Sequence, residues 1–143
     1  MPASDDSRRA LAARMHGVVD DLLRGRVPDG FDETRARETA RILALKRVDA
    51  MTHVRPEVKL LDRWRSRAVE FVLATPNQKC AHWDASMFAE WVRDHRGPDD
   101  DGWLVLDDVI NGRTRWARIE LKGSTYRLWR ARGRVHSQPS LPC

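Results

Sequence analysis

The stretch that decides the fold is residues 103–130, WLVLDDVINGRTRWARIELKGSTYRLWR. Apolar and polar side chains alternate along much of it, which is the two-residue period of a β-strand. Asn111-Gly112 is a strong two-residue hairpin signal, and Lys122-Gly123-Ser124 is typical of a second turn. The stretch therefore predicts a three-stranded antiparallel β-meander, with strands over Trp103–Ile110, Arg113–Leu121 and Thr125–Arg130.

The chain before this stretch carries apolar side chains at helical spacing, interrupted by Gly, Pro and Asp turns. Asp32 and Asp84 are suited to cap two of the helices, and Pro56 suits the first turn of another. Residues 98–102, Pro-Asp-Asp-Asp-Gly, predict a turn or hinge. The predicted helices cover about 5–24, 33–54, 56–74 and 84–95.

These elements predict an α+β protein: an N-terminal bundle of about four helices followed by a C-terminal three-stranded antiparallel β-meander. We expect a helical domain over residues 1–97. The basic meander follows over 98–133, either packed on the helices or hinged at the turn before it. Residues 134–143 show no periodicity and contain Ser and Pro, so we expect a disordered tail there.

Charge is divided unevenly between the two parts. The full chain has 26 Lys and Arg, 21 Asp and Glu, and a net charge of +5. Residues 103–143 alone hold eight basic and three acidic side chains, so they carry the whole excess while residues 1–102 are neutral. A basic sheet joined to a neutral helical body predicts an anionic partner or an extended peptide for the sheet.

Strand alternation assigns the side chains of the meander to two faces. Ala117, Ile119, Leu121, Tyr126 and Leu128 should pack against the helices. Two tryptophans and two arginines share the opposite face, where we expect peptide or anion binding: Trp116, Arg118, Arg127 and Trp129. A purely structural role remains the alternative, in which the tryptophans pair across the strands beneath stacked arginines.

Residues able to carry chemistry are few. Cys80, His82, Asp84 and His95 are acceptable metal ligands, but their spacing lacks the paired motifs of zinc sites. Asp107 and Asp108, as neighbours on a predicted strand, should point to opposite faces. No phosphate-binding loop, nucleophile elbow or metalloprotease helix motif is present. We therefore expect a protein that is not an enzyme and uses no metal or cofactor.

Composition also limits location. No run of about 18 apolar residues predicts a membrane span, and the N-terminus lacks the apolar core of a secretory signal. Two cysteines, Cys80 and Cys143, are too few for a disulfide framework. We expect a cytoplasmic protein without membrane attachment.

The second predicted helix carries a Lys46-Arg47 pair beside two small residues, Ala40 and Ala44. Glu33 and Arg37 on the same helix are spaced for an ion pair, so a solvated face is one interpretation. The other is a docking ridge for a partner protein, with Lys46 and Arg47 as the contacting residues.

Dispersed residues between about 22 and 92 resemble a known pattern. It consists of Pro28-Asp29-Gly30-Phe31-Asp32, Thr39-Ala40-Arg41-x-x-Ala44-x-Lys46-Arg47, Arg55-Pro56, Arg67-x-x-x-Phe71, Ala74-Thr75-Pro76 and Phe88-Ala89-x-Trp91-Val92. In these residues the chain is similar to small actinobacterial proteins that resemble the helical partner subunits of multinuclear non-haem iron-dependent oxidases. Those oxidases modify ribosomally made peptides.

The resemblance implies a non-catalytic accessory subunit that docks on a peptide-modifying metalloenzyme and helps hold its precursor peptide. The roles of the Trp and Arg residues come from strand alternation, not from the resemblance. The alternative is a winged-helix-like nucleic-acid binder, since helices followed by a basic hairpin have the right order. Against it, Met87, Phe88, Trp91 and Val92 commit the fourth helix to the core and leave few side chains to read bases.

Overall fold

The computed structural model describes residues 2–76 and 79–140, with side chains from residue 5 onward. The protein is α+β, as predicted, with helices first and an antiparallel sheet last. Five α-helices occur in the described residues, where the sequence predicted about four. The elements are α1 (Pro2–Leu23), α2 (Glu33–Val54), a 3₁₀ helix (Pro56–Leu60), α3 (Trp64–Ala74), α4 (Ala81–Asp94), α5 (Asp101–Ile110), β1 (Trp116–Leu121), β2 (Ser124–Ala131) and β3 (Arg134–Pro139).

One of the two predicted helix caps is confirmed. Asp32 caps α2, because its Oδ1 accepts a hydrogen bond from the backbone N–H of Arg35 at 2.9 Å. The cap predicted at Asp84 is wrong: α4 already begins at Ala81. Asp84 lies one turn inside the helix, where its carboxylate binds Arg47 instead of the helix N-terminus.

The third predicted helix is divided into two. Pro56 begins the 3₁₀ helix, in the first-turn position that proline favours. Arg63 then adopts a left-handed conformation, with a φ of 48°, and α3 begins only at the next residue. Helical periodicity on both sides of this break hid it, because apolar spacing does not report the conformation of single residues.

The strand predicted over Trp103–Ile110 is wrong, because these residues belong to α5. Five of its ten residues are buried: Trp103, Leu104, Leu106, Asp107 and Val109. A short apolar run with aromatic and β-branched residues fits a buried strand as well as a buried helix, and the strand was the wrong choice here. Asn111-Gly112 ends the helix, with Gly112 at a φ of +73°, since a helix C-terminus and a tight hairpin both require a positive φ.

The sheet is a three-stranded antiparallel meander in the order β1-β2-β3. Both connections are two-residue turns with positive φ at each position, Lys122-Gly123 (51° and 75°) and Arg132-Gly133 (50° and 73°). The second turn brings residues 134–139 into β3, so the disorder predicted for this part of the tail is wrong. Residues 141–143 lie outside the described residues.

Helix α5 lies between two apolar clusters and belongs to both. Trp103 and Leu104 pack in the core of the helical bundle, together with Phe71, Phe88 and Val92. One turn later, Leu106 and Val109 pack against Ile119 and Leu128 of the sheet. The sheet therefore rests on the bundle through α5, which fixes the direction in which its other face points. No helix in the described part of the chain is long and apolar enough to cross a membrane.

Candidate functional site

The side of the sheet opposite the buried Ile119 and Leu128 is here called the outer face. The register aligns Trp116 with Trp129 and Ala117 with Leu128 across β1 and β2. Ile119 and Leu128 are each 4% exposed, which identifies the inward side of the alternation. The four residues predicted as the site therefore share one face. The outer face consists of Trp116, Arg118, Glu120, Thr125, Arg127, Trp129, Ala131, Arg134, His136 and Gln138.

An aromatic row crosses all three strands of the outer face. Trp116 lies opposite Trp129, which lies opposite His136. The imidazole of His136 stacks on the indole of Trp129, with ring centroids 5.6 Å apart and planes 14° from parallel. Trp116 remains 74% exposed and Trp129 38%. The row therefore presents a large apolar surface that the described residues leave open.

Two arginines face each other in the next row. The backbone N–H of Arg130 donates to the carbonyl of Arg115 at 2.8 Å, which places Arg118 and Arg127 at a non-hydrogen-bonded position of the ladder. Opposed Cα atoms at such a position are about 4.5 Å apart. Both side chains are exposed, and neither has a hydrogen-bond or ion-pair partner among the described residues. Like charges in this arrangement repel one another.

The rest of the sheet adds to this positive charge. Residues 113–140 hold eight basic side chains and one acidic side chain, Glu120. Arg113 and Arg130 bind groups of α5, while in the described residues the other six basic side chains have no hydrogen-bond or ion-pair partner. The sheet therefore carries an uncompensated positive field over a face that also exposes tryptophan.

An acidic cleft of about 630 Å³ adjoins the outer face along β1. Four acidic residues and two basic residues line it: Asp62, Asp99, Asp101, Glu120, Arg118 and Lys122. The sign of the charge therefore changes within two residues along β1, from Arg118 to Glu120.

Gly102 allows α5 to approach the strand that carries these residues. A Cβ atom at this position would lie 2.0 Å from the backbone oxygen of Glu120, closer than any real contact. Arg130 strengthens the same junction from the inner face, because its guanidinium donates to the carbonyl oxygens of Val109 and Ile110 at the end of α5. The outer face is thus held on a rigid support.

A buried carboxylate, Asp107, joins four segments. Its oxygens accept from Arg55 Nη2 at 3.1 Å, Arg93 Nη2 at 3.3 Å and Arg113 Nη2 at 2.5 Å, and its side chain is 4% exposed. Asp108 shares Arg93 and Arg113, so the prediction that the two carboxylates point to opposite faces is wrong because they lie on a helix. The hydrogen bond that Arg113 donates to Asp108, with the negative charges of both carboxylates, raises the pKa of Arg113 despite its partial burial.

A second buried pair fixes the loop before α5. Arg67 donates to both oxygens of Asp100, at 2.7 and 2.8 Å, and also to the carbonyl of His95 at 3.1 Å. The backbone N–H of Gly97 donates to Asp100 at 2.6 Å. Burial by itself would raise the pKa of Asp100, but the hydrogen bonds from Arg67 and Gly97, with the positive charge of Arg67, lower it below its ordinary value.

The predicted docking pair is divided between solvent and interior. Lys46 is exposed on α2. Arg47 turns inward: its guanidinium bridges Asp84, at 2.8 and 3.2 Å, and the carbonyls of Val72 and Thr75, both at 2.9 Å. Its side chain is 15% exposed, so Arg47 links three helical segments, and Lys46 is the one of the two with a solvent-facing charge.

The cysteine and histidines of the central loop are dispersed. Cys80 is exposed at the start of α4, and His82 is exposed two residues later. His95 stacks on Trp91 with ring centroids 4.2 Å apart, and one of its ring nitrogens lies 2.8 Å from the Trp91 carbonyl oxygen. Within the described ranges 2–76 and 79–140, no group of three or more His, Cys, Asp or Glu side chains is arranged to hold a metal ion.

Comparison with known proteins places the chain in a family. The sequence profile described as SCO6045-like, C-terminal domain matches residues 12–94, more than half of the chain. The chain belongs to the SCO6045-like C-terminal domain family. The matched segment runs from α1 through α4, so α5 and the sheet lie beyond it.

One curated relative is a UPF0276 protein of Streptomyces avermitilis, 32% identical over 112 residues. The aligned segment covers 71% of this chain but 23% of that protein, so the chain spans less than a quarter of its relative's length. This actinobacterial relative agrees with the actinobacterial resemblance predicted from the sequence. No solved structure matches the chain.

Three parts of this region differ from the prediction. His136 and Gln138 lie on the outer face, although residues 134–143 were predicted to be disordered. Arg132-Gly133 repeats the pattern of Lys122-Gly123, a basic residue before glycine, and would have indicated the second hairpin. The ion pairs of Asp107 and Asp100 had no such signal, since the arginine partners of Asp107 lie 6 to 52 residues away and that of Asp100 lies 33 residues away.

Proposed function

We propose that this chain is a non-catalytic accessory subunit that docks on a peptide-modifying metalloenzyme and holds its precursor peptide against the outer face. The observation that carries the proposal is the Arg118–Arg127 pair, which is exposed beside Trp116 and has no hydrogen-bond or ion-pair partner among the described residues. Uncompensated charge next to accessible aromatic surface is typical of a recognition surface rather than of a structural one. The iron-dependent oxidase as enzyme partner comes from the family resemblance.

The size of the Streptomyces relative supports a protein partner. There, a segment similar to this chain makes up 23% of a longer polypeptide. A domain that is covalently joined to a larger protein in one case often occurs as a separate chain in another. The separate chain then binds a protein that is similar to the rest of the fused one. We infer that the remainder of the relative represents the kind of protein on which this chain docks.

Helix α1 offers a surface for that docking. Leu11, Met15 and Val19 recur at four-residue spacing along one side of the helix. Their exposed fractions are 58%, 59% and 36%, which are high for large apolar side chains. This stripe is more apolar than the surface around Lys46, so we propose that α1 makes the central contact and Lys46 a peripheral one.

A winged-helix nucleic-acid binder is the alternative function, and it has weaker support. The helix that precedes the sheet is α5, whose Asp107 and Asp108 bind arginines of the protein itself. Phe88 and Val92 of α4 are fully buried, so neither helix presents a basic surface for a groove. The exposed arginines of the sheet remain suited to phosphate, which the experiment below examines directly.

The test is an affinity purification of the tagged chain from cells of the source organism, with nuclease treatment, mass spectrometry and metal analysis. We expect an iron-containing enzyme similar to the remainder of the Streptomyces relative, together with a small peptide. Leu11→Asp with Met15→Asp should remove the enzyme. Arg118→Gln with Arg127→Gln should remove the peptide and retain the enzyme.

Matched variants make the result specific. Ala10→Asp with Ala13→Asp introduces the same charges on the opposite side of α1, where both residues are exposed. Arg115→Gln with Arg132→Gln removes two charges from the sheet outside the outer face. Recovery of nucleic acid that nuclease removes, without any enzyme, would refute the proposal in favour of the alternative.

A further inference from the structure

The geometry of the outer face points to a particular class of peptide. We propose that it binds an extended segment whose alternate side chains are apolar, acidic and basic, at positions i, i+2 and i+4. This inference rests on the proposed function, in that it specifies what the outer face holds. It goes beyond that function by defining the ligand from the order of residues along one strand.

The spacing of the rows sets the spacing of the ligand. Trp116, Arg118 and Glu120 follow one another on the same side of β1, two residues apart. Same-side residues of an extended chain are separated by about 6.6–6.8 Å in any strand. A peptide lying along β1 and β2 in extended conformation therefore places residues i, i+2 and i+4 over three successive rows.

The first row selects an apolar side chain and the second an acidic one. Trp116 and Trp129 expose indole surface that gains free energy when an apolar group covers it. Arg118 and Arg127 are close enough to contact one carboxylate together, and guanidinium groups match carboxylates well. A carboxylate between them would also remove their mutual repulsion.

The third row selects a basic side chain. Glu120 is the one carboxylate of the sheet, and it lines the cleft together with Asp62, Asp99 and Asp101. These four acidic residues outnumber the two basic residues of the lining, Arg118 and Lys122. A lysine or arginine two residues after the acidic residue would lie at this negative boundary. The same boundary repels a continuous polyanion, which favours a peptide with one acidic residue over a nucleic acid strand.

The test is titration calorimetry of the complete chain with short synthetic peptides. The probe is acetyl-Gly-Ser-Leu-Ser-Glu-Ser-Lys-Ser-Gly-amide. The same pattern in reverse order is also used, because a peptide running in either direction along β1 can place its side chains over the three rows. The control peptide exchanges the Glu and the Lys and keeps the composition. The probe and the control both have zero net charge, so general attraction to a protein of +5 does not distinguish them.

We expect the matched probe, in at least one direction, to bind at least about tenfold more tightly than the exchanged control. Arg118→Gln with Arg127→Gln should weaken probe binding by about tenfold or more. Arg115→Gln with Arg132→Gln, which removes the same charge from other parts of the sheet, should leave it within about twofold. Glu120→Gln should reduce the contribution of the probe's lysine to binding and leave the contribution of its glutamate unchanged.

Three outcomes would overturn the inference: no probe binding up to about 1 mM, equal binding of the exchanged control, or tighter binding of a twelve-nucleotide single strand. The proposed function fails separately. If the probe binds as expected but purification recovers no enzyme, the ligand pattern stands and the accessory role does not. If the enzyme and its peptide are recovered and the Arg118 and Arg127 variant keeps both, the docking on an enzyme stands, but neither the binding of the peptide to the outer face nor the ligand pattern does.

Discussion

Arginines of the helical body and arginines of the sheet have opposite surroundings. Arg47 and Arg67 have side chains that are 15% and 11% exposed, and each binds a carboxylate that is 4% or less exposed. Arg118 and Arg127 project into solvent and face each other without a carboxylate. Arginine thus stabilises the fold in the helical body, whereas in the sheet it raises the electrostatic free energy of the folded protein.

This contrast separates variants that affect folding from variants that affect binding. Removing one member of a buried ion pair leaves its partner charged and desolvated, which destabilises the fold. Removing one of two exposed like charges relieves repulsion, which does not. Stability measurements on matched substitutions in both regions therefore test whether the sheet arginines have a role outside the fold.

The largest effect is expected at Asp107. Asp107→Asn turns one oxygen that accepts from arginine into a donor, and it leaves guanidinium groups that are 17% to 48% exposed without a full counter-charge. We expect the free energy of unfolding to fall by about 3–5 kcal/mol, measured by urea denaturation. Asp101→Asn, an exposed change on the same helix, is the control and should cost less than about 0.5 kcal/mol. Equal stability of both variants would mean that the buried arginine network does not stabilise the fold.

A change at Gly102 should come next. The Cβ of Gly102→Ala would lie 2.0 Å from the Glu120 backbone oxygen, so α5 and β1 must move apart. We expect a loss of about 3 kcal/mol and faster amide exchange in β1. Gly17→Ala is the control, because a Cβ in the middle of α1 has no neighbour within 4 Å. That change should be neutral or stabilising by up to about 1 kcal/mol.

The Arg67–Asp100 pair predicts that the stability of the fold depends on pH. The pKa of Asp100 is lowered from its ordinary 3.8 in the folded protein, so its ionised form stabilises the fold above that pH. The contribution is lost as the pH falls through the lowered value. The free energy of unfolding of the wild type should exceed that of Asp100→Asn by about 2 kcal/mol at neutral pH. This difference in stability should shrink below pH 4. A difference that stays constant down to pH 2 would contradict this linkage, and Asp99→Asn is the exposed control.

Part of this contrast was predictable from residue order alone. Period-two alternation in β1 and β2 correctly placed Trp116, Arg118, Arg127 and Trp129 on one face, because a strand with one buried side has a strongly determined register. The same rule failed for residues 103–110. Residues 103–106 form a short run of aromatic and β-branched or branched apolar side chains, and such a run fits a buried strand as well as a buried helix.

The ion pairs were beyond local sequence reasoning for a different reason. Arg47 and Asp84 lie 37 residues apart, and only the packing of α2 against α4 brings them together. The sequence indicated a solvated or docking face around Arg47, since a lysine and an arginine in succession usually face water. Whether an arginine is paired depends on tertiary contacts, which the chain order does not encode locally.

The smallest effect on stability is the most informative about function. Arg118→Gln with Arg127→Gln removes two like charges from directly opposed positions, so we expect the free energy of unfolding to stay equal or to rise by about 0.2–1 kcal/mol. Thermal and urea denaturation at low ionic strength would measure it, and the gain should fade in high salt because exposed charges are screened. Arg115→Gln with Arg132→Gln should show less of this gain, because those residues are not opposed. A protein that becomes more stable yet loses its ligand when two residues change is carrying those residues for binding. A clear destabilisation would instead assign the arginine pair to the fold, and with it the outer face.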